Sequence, residues 1–221
     1  MFVRTLLVAA ATALLALPAL AANPKVEFDT TAGKIVVELN PAAAPKTVAN
    51  FLDYVNAKHY DGTQFHRVID GFMIQGGGFT TDYVKKPTRP PIPIESESSM
   101  KAGLKNVPGT IAMARTGDPN SATAQFFINV NDNARRNFSS ATQAGYGYTV
   151  FGKVVSGMDV VTKIAKGAKG AKGPVAPGIN PGDVPSPANP PSTINRYTVP
   201  VIRSAAADGL RLDNTRAATP G

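Results

Sequence analysis

Short stretches of alternating hydrophobic and polar residues recur along most of the chain, and this alternation is typical of β-strands. In "VEFDTTAGKIVVELN", Val26 and Phe28 alternate with polar neighbours, a turn follows at Gly33, and a second apolar run continues to Leu39. This pattern predicts a β-hairpin. Further strands are predicted for "GTIAMAR", "AQFFINV", "GYTVFGKVV" and "RYTVPVIRSA".

Two segments have helical periodicity instead. Val48, Phe51, Leu52 and Val55 recur at the spacing of one helical face, and Pro45 suits the first turn of such a helix. "GMDVVTKIAKG" predicts a second helix, whereas the proline-rich stretch 80–108 predicts a loop. Many short strands with two helices favour a mainly β protein, a closed antiparallel β-barrel capped by the two helices.

One apolar stretch, "FHRVIDGFMIQGGG" at 65–78, contains an arginine, although arginine is rarely buried without a partner. A two-residue loop at Asp70-Gly71 would place Arg67 and Gln75 on opposite faces of the hairpin. A three-residue loop, 70–72, pairs Arg67 with Gln75, and we favour it because it gives Arg67 a polar neighbour. This register predicts an outer face of Phe65, Arg67, Ile69, Met73 and Gln75, and an inner face of His66, Val68 and Ile74.

The N-terminus has the order of a secretory signal peptide. A short segment ending at Arg4 precedes a 12-residue, largely apolar run, which Pro18 breaks before the small residues around Ala21. The run is shorter than the roughly 20 apolar residues that span a bilayer. We therefore expect residues 1–21 to be a signal peptide cleaved near Ala21, and the mature protein to be periplasmic and without stable membrane insertion.

The amino-acid composition excludes or disfavours several kinds of site and partner. The 221 residues include no cysteine, which excludes disulfides, thiol nucleophiles and cysteine metal sites. The formal charge is +8, but the basic residues are dispersed, which favours a solvated basic surface over nucleic-acid binding. Two histidines without close spacing do not predict a metal site. We expect one domain over 25–205, with a Gly/Pro-rich insertion at about 166–193 and a disordered tail at 206–221.

Four blocks in order, "FHRVIDGFMIQGG", "GTIAMART", "ATAQFFINV" and "VFGKVV", resemble the cyclophilin family of peptidyl-prolyl cis–trans isomerases, most closely its exported bacterial branch. The resemblance covers roughly Val26 to Lys166 and a final strand near 197–204. It implies an eight-stranded antiparallel barrel with a helix at each end and a substrate groove on the outside. It also implies an enzyme without metal or cofactor that acts on X-Pro bonds of unfolded or folding polypeptides, and we expect a monomer.

The resemblance also implies which residues form the site. Arg67 matches the catalytic arginine, and Gln75 matches the glutamine that orients it. The implied substrate-binding residues are Phe72, Met73, Ala114, Arg115, Gln125, Phe127, Phe138 and Tyr148. Among them Phe138 is our candidate for a pocket-closing tryptophan of eukaryotic relatives, and Tyr148 stands where those relatives have a histidine. The glycines at 76–78 are expected to allow a sharp strand exit close to the groove.

Prolyl isomerisation suits such residues on physical grounds. Rotation about a peptide bond is hindered by about 18–20 kcal/mol, because the nitrogen shares its lone pair with the carbonyl. A guanidinium donor aimed at the prolyl nitrogen stabilises the twisted state, in which that lone pair is available, more than the planar one. A non-catalytic chaperone that grips proline-containing segments on the same fold remains the alternative.

Overall fold

A computed structural model describes residues 22–167 and the backbone of 193–198. The predicted signal peptide, most of the predicted insertion and the predicted tail lie outside these residues. Strands are β1 Lys25–Thr30, β2 Gly33–Leu39, β3 Thr63–Gln64, β4 Arg67–Ile69, β5 Met73–Gly76, β6 Thr110–Met113, β7 Phe126–Asn129, β8 Val150–Ser156 and β9 Thr193–Thr198. Helices are α1 Pro45–Asn56, α2 Ser96–Lys101 and α3 Met158–Ala165, with a 3₁₀ turn at Ala134–Arg136.

The described strands form one curled antiparallel sheet that does not close. Their order is β3-β9-β1-β2-β8-β6-β7-β5-β4, so β3 and β4 lie at opposite ends of the hydrogen-bonded order. The prediction of a closed eight-stranded barrel is therefore wrong for the described chain, which forms an open half-barrel of nine strands. The reason lies in Phe65-His66, the two residues that connect β3 to β4 and are not in strand conformation. As a result β3 pairs with β9 and β4 pairs with β5, but no continuous strand joins the two ends of the sheet.

The hairpin of β4 and β5 has the predicted register. Arg67 pairs with Gln75, Val68 with Ile74 and Ile69 with Met73. Gly71 has a φ of +70°, which suits a glycine in the tight loop 70–72. Arg67 and Gln75 are thus neighbours on one face of the sheet, while Val68 and Ile74 are buried on the other.

The segment predicted as a loop at 80–108 contains α2, which the sequence pattern did not predict. Glu95, the residue before α2, accepts hydrogen bonds from the backbone N–H of Lys46 (3.1 Å) and Thr47 (2.8 Å) and from the Thr47 hydroxyl (2.8 Å). An anionic acceptor stabilises the positive end of a helix dipole. Glu95 therefore caps α1, whose own N-cap residue is Ala44 and supplies no side-chain cap.

The two faces of the sheet bury two separate apolar clusters. Aromatic rings of the larger cluster fill the hollow between the sheet and α1, and they include Phe28, Phe51 and Phe126. The smaller cluster is centred on Met73, Ala112, Phe127 and Val150. Because successive residues of a strand point to opposite faces, Phe126 lies in the larger cluster and Phe127 in the smaller one. The smaller cluster forms the floor of an open cleft.

Candidate active site

The cleft is a cavity of about 670 Å³ on the outer face of β4, β5, β6 and β7. It contains nine of the ten residues predicted for the site: Arg67, Phe72, Met73, Gln75, Ala114, Arg115, Gln125, Phe127 and Tyr148. It also contains five residues that the sequence analysis did not assign to the site: His66, Phe79, Tyr83, Lys85 and Arg136.

The floor of the cleft is apolar and firmly held. Met73 and Phe127 are 2% and 5% exposed, and they belong to the smaller cluster rather than to the core under α1. The ring of Tyr148 meets that of Phe127 edge-on, with centroids 5.5 Å apart. Phe72 and Ala114 border the same cluster. The floor is therefore a hydrophobic hollow that can take a compact apolar ring.

Polar side chains stand beside this hollow in a fixed order. Gln75 lies between Arg67, its partner across β4 and β5, and Phe127, its partner on β7. The Nε2 of Gln75 donates a 2.8 Å hydrogen bond to the Oε1 of Gln125. This bond sets the orientation of the Gln75 amide and leaves its own Oε1 as an acceptor. The result is a guanidinium and two amides along one wall.

His66 is buried, but it borders the cleft on the outer face of the sheet and not the core on the inner face, so its predicted facing is wrong. Phe65 takes the core position instead, and both side chains are buried because the chain leaves the strand between β3 and β4. The His66 ring packs edge-on against Phe79, with centroids 4.6 Å apart. Burial lowers the pKa of His66 to about 4, although contacts with Gln64 and Gln125 favour the charged ring. His66 is therefore neutral near pH 7.

Phe138 does not line the cleft. Its ring packs against Tyr146, with centroids 6.0 Å apart. Arg136 covers the hollow instead, with its guanidinium 5.3 Å from the Phe72 ring centroid and 5.8 Å from that of Tyr148. A guanidinium stacks well on aromatic faces. The sequence signal for Arg136 was only its position in the segment "NARRNFSS", which cannot tell one neighbouring side chain from the next.

A network of buried and half-buried amides fixes the loop that carries Arg136. Asn133 donates from Nδ2 to the backbone carbonyl of Phe72 (3.0 Å) and to Oδ1 of Asn129 (2.6 Å). Asn129 in turn donates to the hydroxyl of Thr110 (2.9 Å), and the carbonyl of Arg136 accepts from Asn106 (3.1 Å). Satisfied buried networks of this kind hold one geometry. The Arg136 loop is thereby tied to β6, β7 and the hairpin loop.

Arg115 has a structural task within the cleft wall. Its Nε donates to the carbonyl of Gly147 (2.7 Å) and its guanidinium to that of Thr116 (2.9 Å). The guanidinium also lies 5.0 Å from the ring centroid of Tyr148. Arg115 therefore holds the segment before β8 against the one after β6, through its Nε and Nη1 donors.

The arrangement suits binding and electrostatic stabilisation. The cleft lining contains no Asp, Glu, Ser or Thr, and its histidine is neutral near pH 7. What it offers is a cationic donor and amide groups beside an apolar hollow. Such a site can grip a ring and favour a charge distribution that differs between two conformations of a bound chain.

Comparison with solved structures identifies the fold. The chain matches cyclophilin AquaCyp293 from Hirschia baltica with a TM-score of 0.59 and 23% identity, covering 79% of this chain and 73% of that one. It matches a cyclophilin type peptidyl-prolyl cis-trans isomerase from Cryptosporidium parvum with a TM-score of 0.58 and 23% identity, covering 80% and 97%. The curled sheet is therefore a cyclophilin fold.

Comparison of sequences identifies the family. Residues 25–180 match the family described as cyclophilin type peptidyl-prolyl cis-trans isomerase/CLD. The chain is 61% identical to peptidyl-prolyl cis-trans isomerase cyp18 of Streptomyces antibioticus, over 63% of this chain and 81% of that protein. It is 55% identical to peptidyl-prolyl cis-trans isomerase B of Escherichia coli, over 63% and 82%. It is 52% identical to peptidyl-prolyl cis-trans isomerase A of Dickeya dadantii, over 67% and 76%.

The chain belongs to the cyclophilin-type peptidyl-prolyl cis–trans isomerase family. The predicted family and enzyme class are confirmed. The roles assigned to single residues remain predictions.

Proposed function

We propose that this protein accelerates rotation about X-Pro bonds by hydrogen bonding from Arg67 to the prolyl nitrogen of a substrate held in the cleft. The observation that carries the proposal is the pairing of Arg67 with Gln75 directly beside the Met73 and Phe127 hollow. A proline ring has the size and polarity that this hollow accepts. The guanidinium remains charged at every relevant pH and can only donate.

The energetics require several contributions. A million-fold acceleration corresponds to about 8 kcal/mol, whereas one charge-assisted hydrogen bond contributes about 1.5–3 kcal/mol. The remainder comes from ring burial on the floor, from backbone anchoring by the amides of Gln75 and Gln125, and from exclusion of water, which strengthens the donor. No bond is broken, and no proton is transferred.

Arg67→Ala tests the mechanism. We expect kcat/KM for a proline peptide to fall about 100-fold or more, the loss typical when a transition-state donor is removed. Arg67→Lys should give an intermediate rate, because lysine keeps the charge but not the planar fork. Arg89→Ala is the matched control, since Arg89 pairs with Asp53 outside the cleft lining.

Measurement of peptide binding together with the isomerisation rate distinguishes an isomerase from a non-catalytic chaperone. If wild type and Arg67→Ala accelerate isomerisation equally, the proposed mechanism is wrong. If neither accelerates it and both bind proline peptides, the protein is a proline-segment chaperone on the same fold.

We further propose that the substrates are exported polypeptides folding in the periplasm. The support is the signal-peptide order of residues 1–21. Within the described part of the chain, no helix is long and apolar enough to cross a membrane.

A further inference from the structure

The cleft has a one-sided charge distribution that catalysis alone does not require. Four cationic side chains line it, those of Arg67, Lys85, Arg115 and Arg136, and no carboxylate lines it. Acidic residues of the described chain form their ion pairs elsewhere, as in Lys34–Glu27, Arg89–Asp53 and Lys101–Glu97. Asp82, three residues before Lys85, is not part of the lining.

Two of these cations stand at different ends of the cleft. Arg136 lies over Phe72 and Tyr148, at the end that holds the apolar hollow. Lys85 pairs by a backbone bridge with Phe79, whose ring contacts His66 at the other end. Both residues are exposed, and within residues 22–167 no carboxylate lies within ion-pair distance of either.

The other two cations have different tasks. Arg115 donates from Nε and Nη1 to the carbonyls of Gly147 and Thr116, so its guanidinium is held against the chain and adds mainly to the positive charge of the cleft. Arg67 is half-buried beside Gln75 and is assigned to the prolyl nitrogen. Lys85 and Arg136 are therefore the cations whose heads can meet the side chains of a bound chain on either side of its proline.

We propose that the cleft selects X-Pro segments with Asp or Glu side chains flanking the proline, one acidic side chain meeting Arg136 and another meeting Lys85. This inference rests on the proposed isomerase function and names its preferred substrate class. A concave site lined by one sign of charge concentrates the opposite charge. Exposed ion pairs are weak, so each flanking acid should raise kcat/KM about twofold to fivefold.

Exchange between the cis and trans NMR signals of short peptides tests this without a coupled protease, whose own charge preference would interfere. One series carries Glu, Gln or Lys two residues before the proline, and a second series carries them two residues after it. Glu and Gln have nearly the same shape, so their ratio isolates the charge. We expect kcat/KM to follow Glu above Gln above Lys, mainly through KM, with the differences shrinking between 0.02 and 0.5 M NaCl as screening increases.

Variants assign the two ends. Arg136→Gln and Lys85→Gln should each reduce the Glu-to-Gln ratio in one of the two series, and in opposite ones. Lys153→Gln is the matched control, because it removes the same charge from an exposed position outside the cleft lining.

The outcomes distinguish the two proposals. Acceleration that is equal for Glu, Gln and Lys peptides overturns the acidic preference and leaves the isomerase function standing. A preference that survives both variants, or that Lys153→Gln reduces as much, overturns the assignment to Lys85 and Arg136. No acceleration of any peptide overturns the isomerase function itself.

Discussion

At the scale of single residues, the proposed chemistry depends on side chains that hold one another in place. Gln75 faces Arg67 across the hairpin and donates to Gln125 at 2.8 Å. Gln125 in turn contacts His66 and packs over Gly78. The Arg67 guanidinium thus lies beside a chain of neutral groups, and each member of this chain offers a separate test of the proposed mechanism.

Removal of the acceptor on Gln125 should loosen Gln75 without removing it. We expect Gln125→Met to lower kcat about tenfold, because the Gln75 amide then loses the partner that orients it. Gln125→Glu keeps an acceptor and should restore most of the rate when measured at pH 8, where His66 remains neutral. Equal rates for wild type and Gln125→Met would show that Gln75 is oriented by other contacts.

His66 should make the stability of the fold depend on pH. Its folded-state pKa of about 4 lies below the ordinary 6.5, so the unfolded state binds more protons between these values, and stability falls as pH decreases through this window. From pH 7 to pH 4.5 we expect a loss of about 2 kcal/mol from this group, measured by urea denaturation. His59 also has a pKa lowered by burial and adds to the slope.

The variant His66→Gln isolates the contribution of His66. Its loss of stability between pH 7 and pH 4.5 should be smaller than that of wild type by about 2 kcal/mol, whatever its stability at pH 7. Parallel pH profiles for the two proteins would contradict the buried neutral histidine. Activity should be flat from pH 6 to 8, since the one histidine of the lining, His66, stays neutral throughout this range.

The residue positions show what the sequence can and cannot predict. The pairing of Arg67 with Gln75 was predictable because a shift of one residue in the hairpin register moves a side chain to the opposite face. Only one of the two registers gives the charge of Arg67 a polar neighbour. The facing of His66 was not predictable, because the break between β3 and β4 inverts the alternation there. Arg136 was missed because its place depends on an amide network in which Asn106, distant in sequence, bonds to Asn129 and to the carbonyl of Arg136.

At the scale of elements, the exit from β5 shows why two of its three consecutive glycines, Gly77 and Gly78, are needed. Gly77 has a φ of +84°, and a Cβ there would lie 2.8 Å from the Tyr60 ring. A Cβ on Gly78 would lie 2.5 Å from the side chain of Gln125. A side chain at Gly77 is thus opposed by the backbone conformation and by the core, whereas one at Gly78 is opposed by a flexible side chain of the site.

This difference predicts opposite effects of one added methyl group. Gly77→Ala should destabilise the fold by about 2 kcal/mol or more, because the left-handed backbone and the buried rings both resist it. Gly78→Ala should cost less stability but lower kcat, because Gln125 must move away from Gln75. Urea denaturation and the isomerase assay on both variants check this, and a Gly78→Ala enzyme of normal kcat would contradict it.

Helix α2 illustrates the limit of local pattern. It has six residues, too few for a periodic stripe, and the sequence around it is rich in proline and serine. The Glu95 carboxylate connects the start of α2 to α1, where it accepts a hydrogen bond from Thr47, 48 residues earlier in the chain. Helix α1 was predictable because four apolar residues share one face, whereas α2 depends on a tertiary contact.

At the scale of the whole molecule, the order and type of most strands follow from alternation, but the closure of the sheet does not. Closure depends on the edges, and here the edges are β3 and β4, which have two and three residues. Strands this short carry almost no periodic signal. The family resemblance predicted a closed barrel, whereas the described chain forms an open half-barrel.

The whole chain also carries the prediction of export, which concerns residues outside the described structure. If residues 1–21 are a signal peptide, the full chain expressed in a Gram-negative bacterium should be recovered from the periplasmic fraction as a shorter species whose N-terminal sequence begins near Ala22. Changing Leu14 and Leu15 to Asp should leave the uncleaved chain in the cytoplasm, because an interrupted apolar run no longer suits export. Recovery of the full-length chain from the cytoplasm of the unaltered strain would contradict the prediction.

Because the described domain begins at β1, three residues after Ala22, cleavage at this point should leave the isomerase rate of the mature protein intact.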